Sequence, residues 1–250
     1  MSDDPLYVGA DVASGSWVAV AFDAEGFDHA TVFAEVGDLW LEYEERADRI
    51  LLDVPIGLVE DGSTERTCDR LAREVLGPRR RAVFTPPVRE ATRKRRYPAA
   101  KRVNERKSGK SLTKQAFAIS DDIAAVDELL QELPEARDVV AEAHPEVCFR
   151  AFAGEPLHYS KRTAAGYAER MRTLAEFDRD APPVVQSAAE ATGGEDVGVD
   201  DVLDAVVLGY TARPGPGDLR TLPSEPERDP TDLPMRMVYR AAGSLRDDPK

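Results

Sequence analysis

The sequence predicts an α/β fold: a mixed sheet that opens with a three-strand antiparallel meander, continues with parallel strands and is flanked by helices. Three observations predict it. The first 34 residues contain three short apolar runs, Leu6–Val12, Trp17–Phe22 and His29–Ala34, separated only by the turn signals Ala-Ser-Gly-Ser and Ala-Glu-Gly. Connections this short join antiparallel neighbours. Further along, segments of helical periodicity alternate with short apolar runs of the buried-strand type. With 250 residues, 42 % of them apolar, the chain can fill the core such a sheet requires.

Each later element has its own signal. Asp38–Asp48 reads as a helix, and Arg49–Pro55 (Arg-Ile-Leu-Leu-Asp-Val-Pro) as a buried central strand. Ser63 or Thr64 is expected to cap a helix that buries Leu71, Val75 and Leu76 and ends before Gly77. Residues 78–114 have little periodicity and are expected to form a loop-rich insertion. In Lys114–Leu133, Ala118, Ile119, Ile123, Val126, Leu129 and Leu130 recur at the spacing of one long helix. Val139–Ala143 is a further strand candidate, and Thr163–Glu176 and Asp200–Arg213 are helices. The expected organisation is one domain over residues 1–213, insertion included, followed by an extended segment at 214–250. Six prolines between Pro214 and Pro234 mark that segment, with room for one late strand at 233–240.

Composition excludes several classes. The longest unbroken apolar run is Trp17–Phe22, against the ~20 residues of a membrane span. The start, Met-Ser-Asp-Asp-Pro, is acidic and lacks the regions of a signal peptide, so a soluble, cytoplasmic protein is expected. Cys68 and Cys148 make neither a disulfide framework nor a zinc site and read as small hydrophobes; His29 and His158 read as surface residues. The net charge is −14 and only 7 of the 33 basic residues are Lys, a balance expected of a halophile's cytosol, where salt screens self-repulsion. Against that background, Arg79–Lys114 holds 14 Arg and Lys and two acids, a net +12. Basic charge kept together in an acidic chain predicts an anionic partner, nucleic acid first, with Arg93, Arg95 and Arg96 in its densest run.

Carboxylates sit where apolar residues are expected. Asp11 interrupts Leu6-Tyr-Val-Gly-Ala-Asp-Val-Ala, Asp53 interrupts Ile-Leu-Leu-Asp-Val-Pro-Ile, and Asp204 lies in a helix apolar nearly all round. Asp is rarely buried unless paired, and three that converge repel one another unless a cation lies among them. Adjacent central strands would set Asp11 beside Asp53. Asp201 shares a helix face with Asp204, while Asp200 is the expected N-cap. Glu142 ends the run Val139-Val-Ala, and alternation puts it with His144 on one side of that strand until Pro145 intervenes.

Gly9-Ala-Asp11 with Trp17, Asp53-Val-Pro-Ile-Gly57, Arg66-x-x-Asp69-x-x-x-Arg73-x-x-x-Gly77, Val83-Phe-Thr-Pro-Pro87, Leu112-Thr-Lys-Gln115, Glu142-Ala-His-Pro-Glu146-x-x-Phe149, Ser160-Lys161-Arg162-Thr163 and Asp201-x-x-Asp204-Ala follow one another in order. Together they resemble the DUF429 family, described as predicted nucleases of the ribonuclease-H-like fold, over about Tyr7–Ala212. The Pro-rich end lies outside that resemblance, and the insertion is larger and more basic than the plain fold contains. The resemblance implies a site built on Asp11, Asp53, Asp201 and Asp204, with Glu142 as an additional ligand. Arg66, Arg73, Gln115, His144 and Lys161 are expected on the substrate side, Arg66 and Lys161 against a non-scissile phosphate.

The implied reaction is hydrolysis of a nucleic-acid phosphodiester with two Mg²⁺ or Mn²⁺ ions, hard cations that take carboxylate oxygens, Asp11 bridging them. Two alternatives stand beside it. A catalytically inactive nucleic-acid-binding module would keep the basic segment without needing every acid. An actin/sugar-kinase-type phosphotransferase would need a second Gly-rich phosphate turn after a strand, and Gly193-Gly194 is the only glycine pair.

Overall fold

A computed structural model describes residues 4–62 and 65–246. Strands β1 (Leu6–Ala13), β2 (Ser16–Phe22) and β3 (Phe27–Phe33) form the antiparallel meander. Ser14 and Gly15 join the first two, both with positive φ, as a tight two-residue hairpin turn requires. The chain crosses through α1 (Val36–Tyr43) to β4 (Ala47–Leu52), which lies parallel to β1. The helix is shorter than the expected Asp38–Asp48, since the chain is already extended at Ala47.

Next come α2 (Thr67–Leu76), a 3₁₀ turn (Gly77–Ala82), α3 (Arg89–Thr92), α4 (Tyr97–Ser108), α5 (Lys114–Ala118), α6 (Ser120–Glu132) and α7 (Ala136–Val139). Strand β5 (Val140–Glu142) then pairs parallel with β4, giving the order β3-β2-β1-β4-β5. Helices α8 (Pro145–Ala153), α9 (Ala164–Phe177), α10 (Ala181–Ala191) and α11 (Val199–Ala212) follow, then β6 (Asp218–Arg228) and β7 (Pro234–Ala241) as an antiparallel pair. This is the expected α/β architecture, a mixed sheet flanked by helices and consistent with a ribonuclease-H-like fold.

Alternation along β1 builds two cores. Leu6, Val8 and Ala10 bury with Ile50, Leu52, Trp40, Ile123 and Val126 on the side of α1 and α6. Ala13 buries with Leu51, Leu203, Val206 and Val207 on the side of α11. Helix α11 approaches β1 so closely that a Cβ on Gly9 would stand 2.1 Å from the Gly209 nitrogen, and one on Gly209 2.4 Å from the Phe22 ring. Any larger residue at either glycine would push the last helix off the sheet.

Three expectations are corrected, and one lies outside the described residues: the capping role of Ser63 or Thr64. The insertion at 78–114 is not loop-rich. It folds as α3 and α4, whose Val88, Ala91 and Val103 bury together, and Arg89 ties it to Asp127 and to Asp229 before β7. The helix expected over Lys114–Leu133 is broken at Ile119: Ala116 buries against Ala100 and Leu112, whereas Ile123, Val126 and Leu130 bury on the sheet, and one straight helix cannot reach both. The segment after residue 213 is not merely extended. Leu222, Met237, Val238 and Tyr239 join the core, and Pro223 and Pro226 fall between Leu222 and Glu227, where the ladder's register shifts and no N–H is demanded. The late strand expected at 233–240 is β7, observed at Pro234–Ala241.

Candidate functional site

The sheet register assembles the carboxylates. The Asp53 N–H donates to the Ala10 carbonyl at 3.0 Å, carrying the β1–β4 ladder one residue past β4 and placing Asp53 beside Asp11. Because Asp53 follows Leu52, it points to the α11 side of the sheet, as Asp11 does. From α11, held close by Gly9 and Gly209, Asp204 reaches the same point. Asp11, Asp53 and Asp204 each offer a carboxylate oxygen within 4.8 Å of the others. Asp11 and Asp204 are only 6 % and 2 % exposed.

Such a cluster stores charge repulsion. Burial first, then the Asp53 and Asp204 carboxylates, hold the Asp11 carboxyl well above the usual range. Burial also raises Asp53, against the pull of His144 and Lys161. Asp204 is pushed up to about 7 by burial, with Asp53 and Glu146 adding to it and Lys161 opposing. The compensating charge is Lys161, whose Nζ donates to Asp204 Oδ2 at 2.5 Å and lies 3.8 Å from Asp200. Its own ammonium form is held: burial works against it, but Asp204 and Asp11 outweigh that.

The three carboxylates line a cleft of about 580 Å³ whose other walls mix four basic side chains with apolar ones such as Val12, Phe84 and Ile119. Its polar lining includes Arg79 and Arg81 from the 3₁₀ turn, Lys161 and Arg162 from the loop before α9, and Gln115, His144 and Glu146. The cleft therefore combines three converging carboxylates with four cationic side chains, a set able to receive both a cation and an anion.

The remaining predicted residues separate into three groups. Gln115, His144 and Lys161 line the cleft; His144 also caps α8 by accepting from the Glu146 N–H. Asp201 lies one turn from Asp204 but outside the three-carboxylate group, and from the third position of α11 its Oδ2 accepts from the N–H of Gly198, the N-cap; Asp200, the expected cap, instead faces Lys161. Glu142, Arg66 and Arg73 are not brought to the cluster. Glu142 follows Ala141 on β5, so alternation turns it away from the face that carries Asp11, and Arg66 takes both its oxygens at 2.8 Å.

Arg66 is 1 % exposed, held by Glu142, Asp69 and the Ile56 and Gly57 carbonyls, so it can hold no substrate phosphate. Cys68, Asp69 and Glu142 approach one another as metal ligands would, but the Arg66 guanidinium already supplies their counter-charge. Arg73 donates to the Val83 carbonyl, Thr85 and Glu65, pinning the turn after α2. Arg93 pairs with Asp127 and Glu128, while Arg95 and Arg96 are exposed away from the cleft lining.

Sequence reasoning missed Arg79, Arg81, Arg162 and Glu146 as cleft residues. Signals existed: Arg162 and Glu146 lie inside the quoted motifs, and Arg79–Arg81 open the basic segment. Gly193-Gly194 follows α10 rather than a strand, so the phosphate turn of a phosphotransferase is not formed there. Cys68 and Cys148 are buried, as expected of small hydrophobes. Among the described residues, no helix is long and apolar enough to cross a membrane.

No curated protein and no solved structure matches the chain. One family model matches residues 9–228, reaching past Ala212 into β6, so the shared pattern extends beyond the Tyr7–Ala212 stretch the motifs cover. On that match the chain belongs to the family described as "Protein of unknown function (DUF429)".

Proposed function

We propose that the protein is a metal-dependent nuclease that hydrolyses phosphodiesters in this cleft. The observation that carries the reading is the convergence of Asp11, Asp53 and Asp204 at the floor of a cleft walled by Arg79, Arg81, Lys161 and Arg162. The donor set fits the metal: all-oxygen ligands suit Mg²⁺ or Mn²⁺, and one ammonium against three carboxylates leaves negative charge uncompensated. In this reading Asp11, Asp53 and Asp204 would hold the ions, with Asp201 one helical turn from Asp204. A bound pair of such ions supplies an activated water and stabilises the leaving oxygen.

The chain's own cations do the rest. Arg81 and Arg162, both exposed at the cleft, bind phosphate oxygens of the strand, and Lys161 neutralises the phosphate nearest Asp204. His144 and Gln115, which line the same cleft, orient the substrate. The partner is nucleic acid, and the acidic surface, net −14 overall, suits a salt-rich cytoplasm.

A second reading, an inactive nucleic-acid-binding module, draws on one observation: Lys161 already serves Asp204 as a counter-ion. Hydrolysis of labelled DNA and RNA with Mg²⁺, Mn²⁺ or chelator separates the two. Cleavage that chelation abolishes supports the nuclease, whereas metal-independent binding without cleavage supports the module.

A further inference from the structure

Glu146 stands, like Asp201, outside the three-carboxylate group and belongs to none of the roles assigned above, yet it lines the same cleft. It stands in the first turn of α8, only 6 % exposed. One of its oxygens, Oε1, accepts from the guanidinium of Arg170, a side chain with no exposed surface, and from Arg79 at 3.5 Å. The other, Oε2, is buried and has no hydrogen-bond partner among the described residues. A buried carboxylate oxygen left unsatisfied costs free energy comparable to a lost charged hydrogen bond, so its retention calls for a ligand.

Its neighbours indicate which ligand. The Glu146 charge acts on both Asp53 and Asp204, pushing each toward its protonated form, which places it in the field of the cluster. Arg170 reaches Glu146 from α9 and itself donates to the Tyr159 and Gly166 carbonyls, so the carboxylate is clamped by its Oε1 edge. A clamp on one oxygen holds the other in a fixed direction, as outer carboxylate and guanidinium partners do around metal ligands.

We propose that Glu146 is a fourth carboxylate of the centre, offering Oε2 to the divalent cation that Asp11, Asp53 and Asp204 bind, with Arg170 and Arg79 as its positioning residues. This rests on the metal-centre reading and adds to it a ligand from α8.

The test is Mn²⁺ titration by calorimetry, read independently of cleavage, on wild type, Asp11→Asn, Glu146→Gln and Glu146→Asp, each checked for folding by circular dichroism. Glu146→Gln keeps an acceptor for Arg170 but removes the charge, and is expected to weaken Mn²⁺ binding at least tenfold. Should that variant fail to fold because Arg170 loses its counter-charge, Glu146→Asp decides, since it keeps the negative charge but draws the carboxylate back by one methylene. Weakened Mn²⁺ binding in a folded Glu146→Asp supports the inference. Wild-type Mn²⁺ affinity in either folded Glu146 variant, with binding lost in Asp11→Asn, overturns the role of Glu146 and leaves the metal-centre reading standing. Absence of Mn²⁺ binding in the wild type overturns both.

Discussion

Lys161 Nζ stands 2.5 Å from Asp204 Oδ2, so the floor of the cleft carries its own monovalent counter-ion in the absence of any other cation. A fixed ammonium beside a carboxylate competes with a divalent ion for the same charge. Two unit charges ~4 Å apart interact by ~4 kcal/mol in a partly screened protein site. Lys161→Met is therefore expected to tighten Mn²⁺ binding at pH 8 by about tenfold, or ~1.4 kcal/mol, while weakening nucleic-acid binding. Calorimetric titration of both ligands checks it; unchanged Mn²⁺ affinity would remove Lys161 from competition with the ion.

Helix packing is expected to control the site from a distance. A Cβ on Gly9 would overlap the Gly209 backbone, so Gly9→Ala must displace α11, which carries Asp204, from β1, which carries Asp11. Overpacking of this kind costs ~1–3 kcal/mol, and the variant should lose both thermal stability and Mn²⁺ affinity. A thermal scan with and without Mn²⁺ measures both effects. A destabilised variant that retains full Mn²⁺ affinity would mean that the helix position does not set the site.

The acidic cluster gives the stability a pH dependence of definite sign. Asp204 has a folded pKa near 7, raised by burial and by Asp53 and Glu146 against Lys161. A carboxyl whose folded pKa exceeds its unfolded value of ~3.9 binds more protons when folded, so its contribution to stability falls as pH rises from about 4 to about 7. The protein without divalent ions should lose stability across that window, and Asp204→Asn should flatten the loss. The stabilisation produced by Mn²⁺ should grow from pH 5 to pH 8 as the protons leave. Melting curves at four pH values with and without Mn²⁺ provide the comparison; a Mn²⁺ effect independent of pH would contradict it.

Much of the site was legible because burying a carboxylate is unfavourable: Asp11, Asp53 and Asp204 each break an apolar run, and those three meet. Glu142 breaks one too, and for the same energetic reason it has a partner, but the partner is Arg66, 76 residues earlier, which no local pattern shows. Alternation was also the right rule applied with too little context, since β5 is three residues long and His144 already belongs to the start of α8. The basic segment was legible as charge and not as structure. Arg89 and Arg93 pair with Asp127 and its neighbours, holding α3 against α6, and of the segment only its start, Arg79 to Phe84, lines the cleft. The prolines after residue 213 concealed a strand pair because two of them occupy its register shift.

That division between tied and untied arginines leads to a sharper prediction for nucleic-acid binding. Arg81 and Arg162 are exposed at the cleft, whereas Arg93 is committed to Asp127 and Glu128. Each phosphate contact removed should lower the slope of log affinity against log salt by ~0.7–0.9. Arg81→Ser with Arg162→Ser should therefore reduce the slope by about 1.4–1.8, and Arg93→Ser should change stability more than slope. Equal slopes for the wild type and the double variant would place the nucleic acid elsewhere.

Under the proposed function Asp11 helps to hold a divalent cation required for phosphodiester hydrolysis. Asp11→Asn preserves the shape of a side chain that accepts from the Val12 N–H and removes the charge at the middle of the cluster. The direct measurement is Mn²⁺ titration by calorimetry beside a DNA and RNA hydrolysis assay, on wild type and Asp11→Asn. The expected result is a folded variant that neither binds Mn²⁺ nor cleaves nucleic acid, against a wild type that does both. Wild-type Mn²⁺ binding or undiminished cleavage in Asp11→Asn would contradict it.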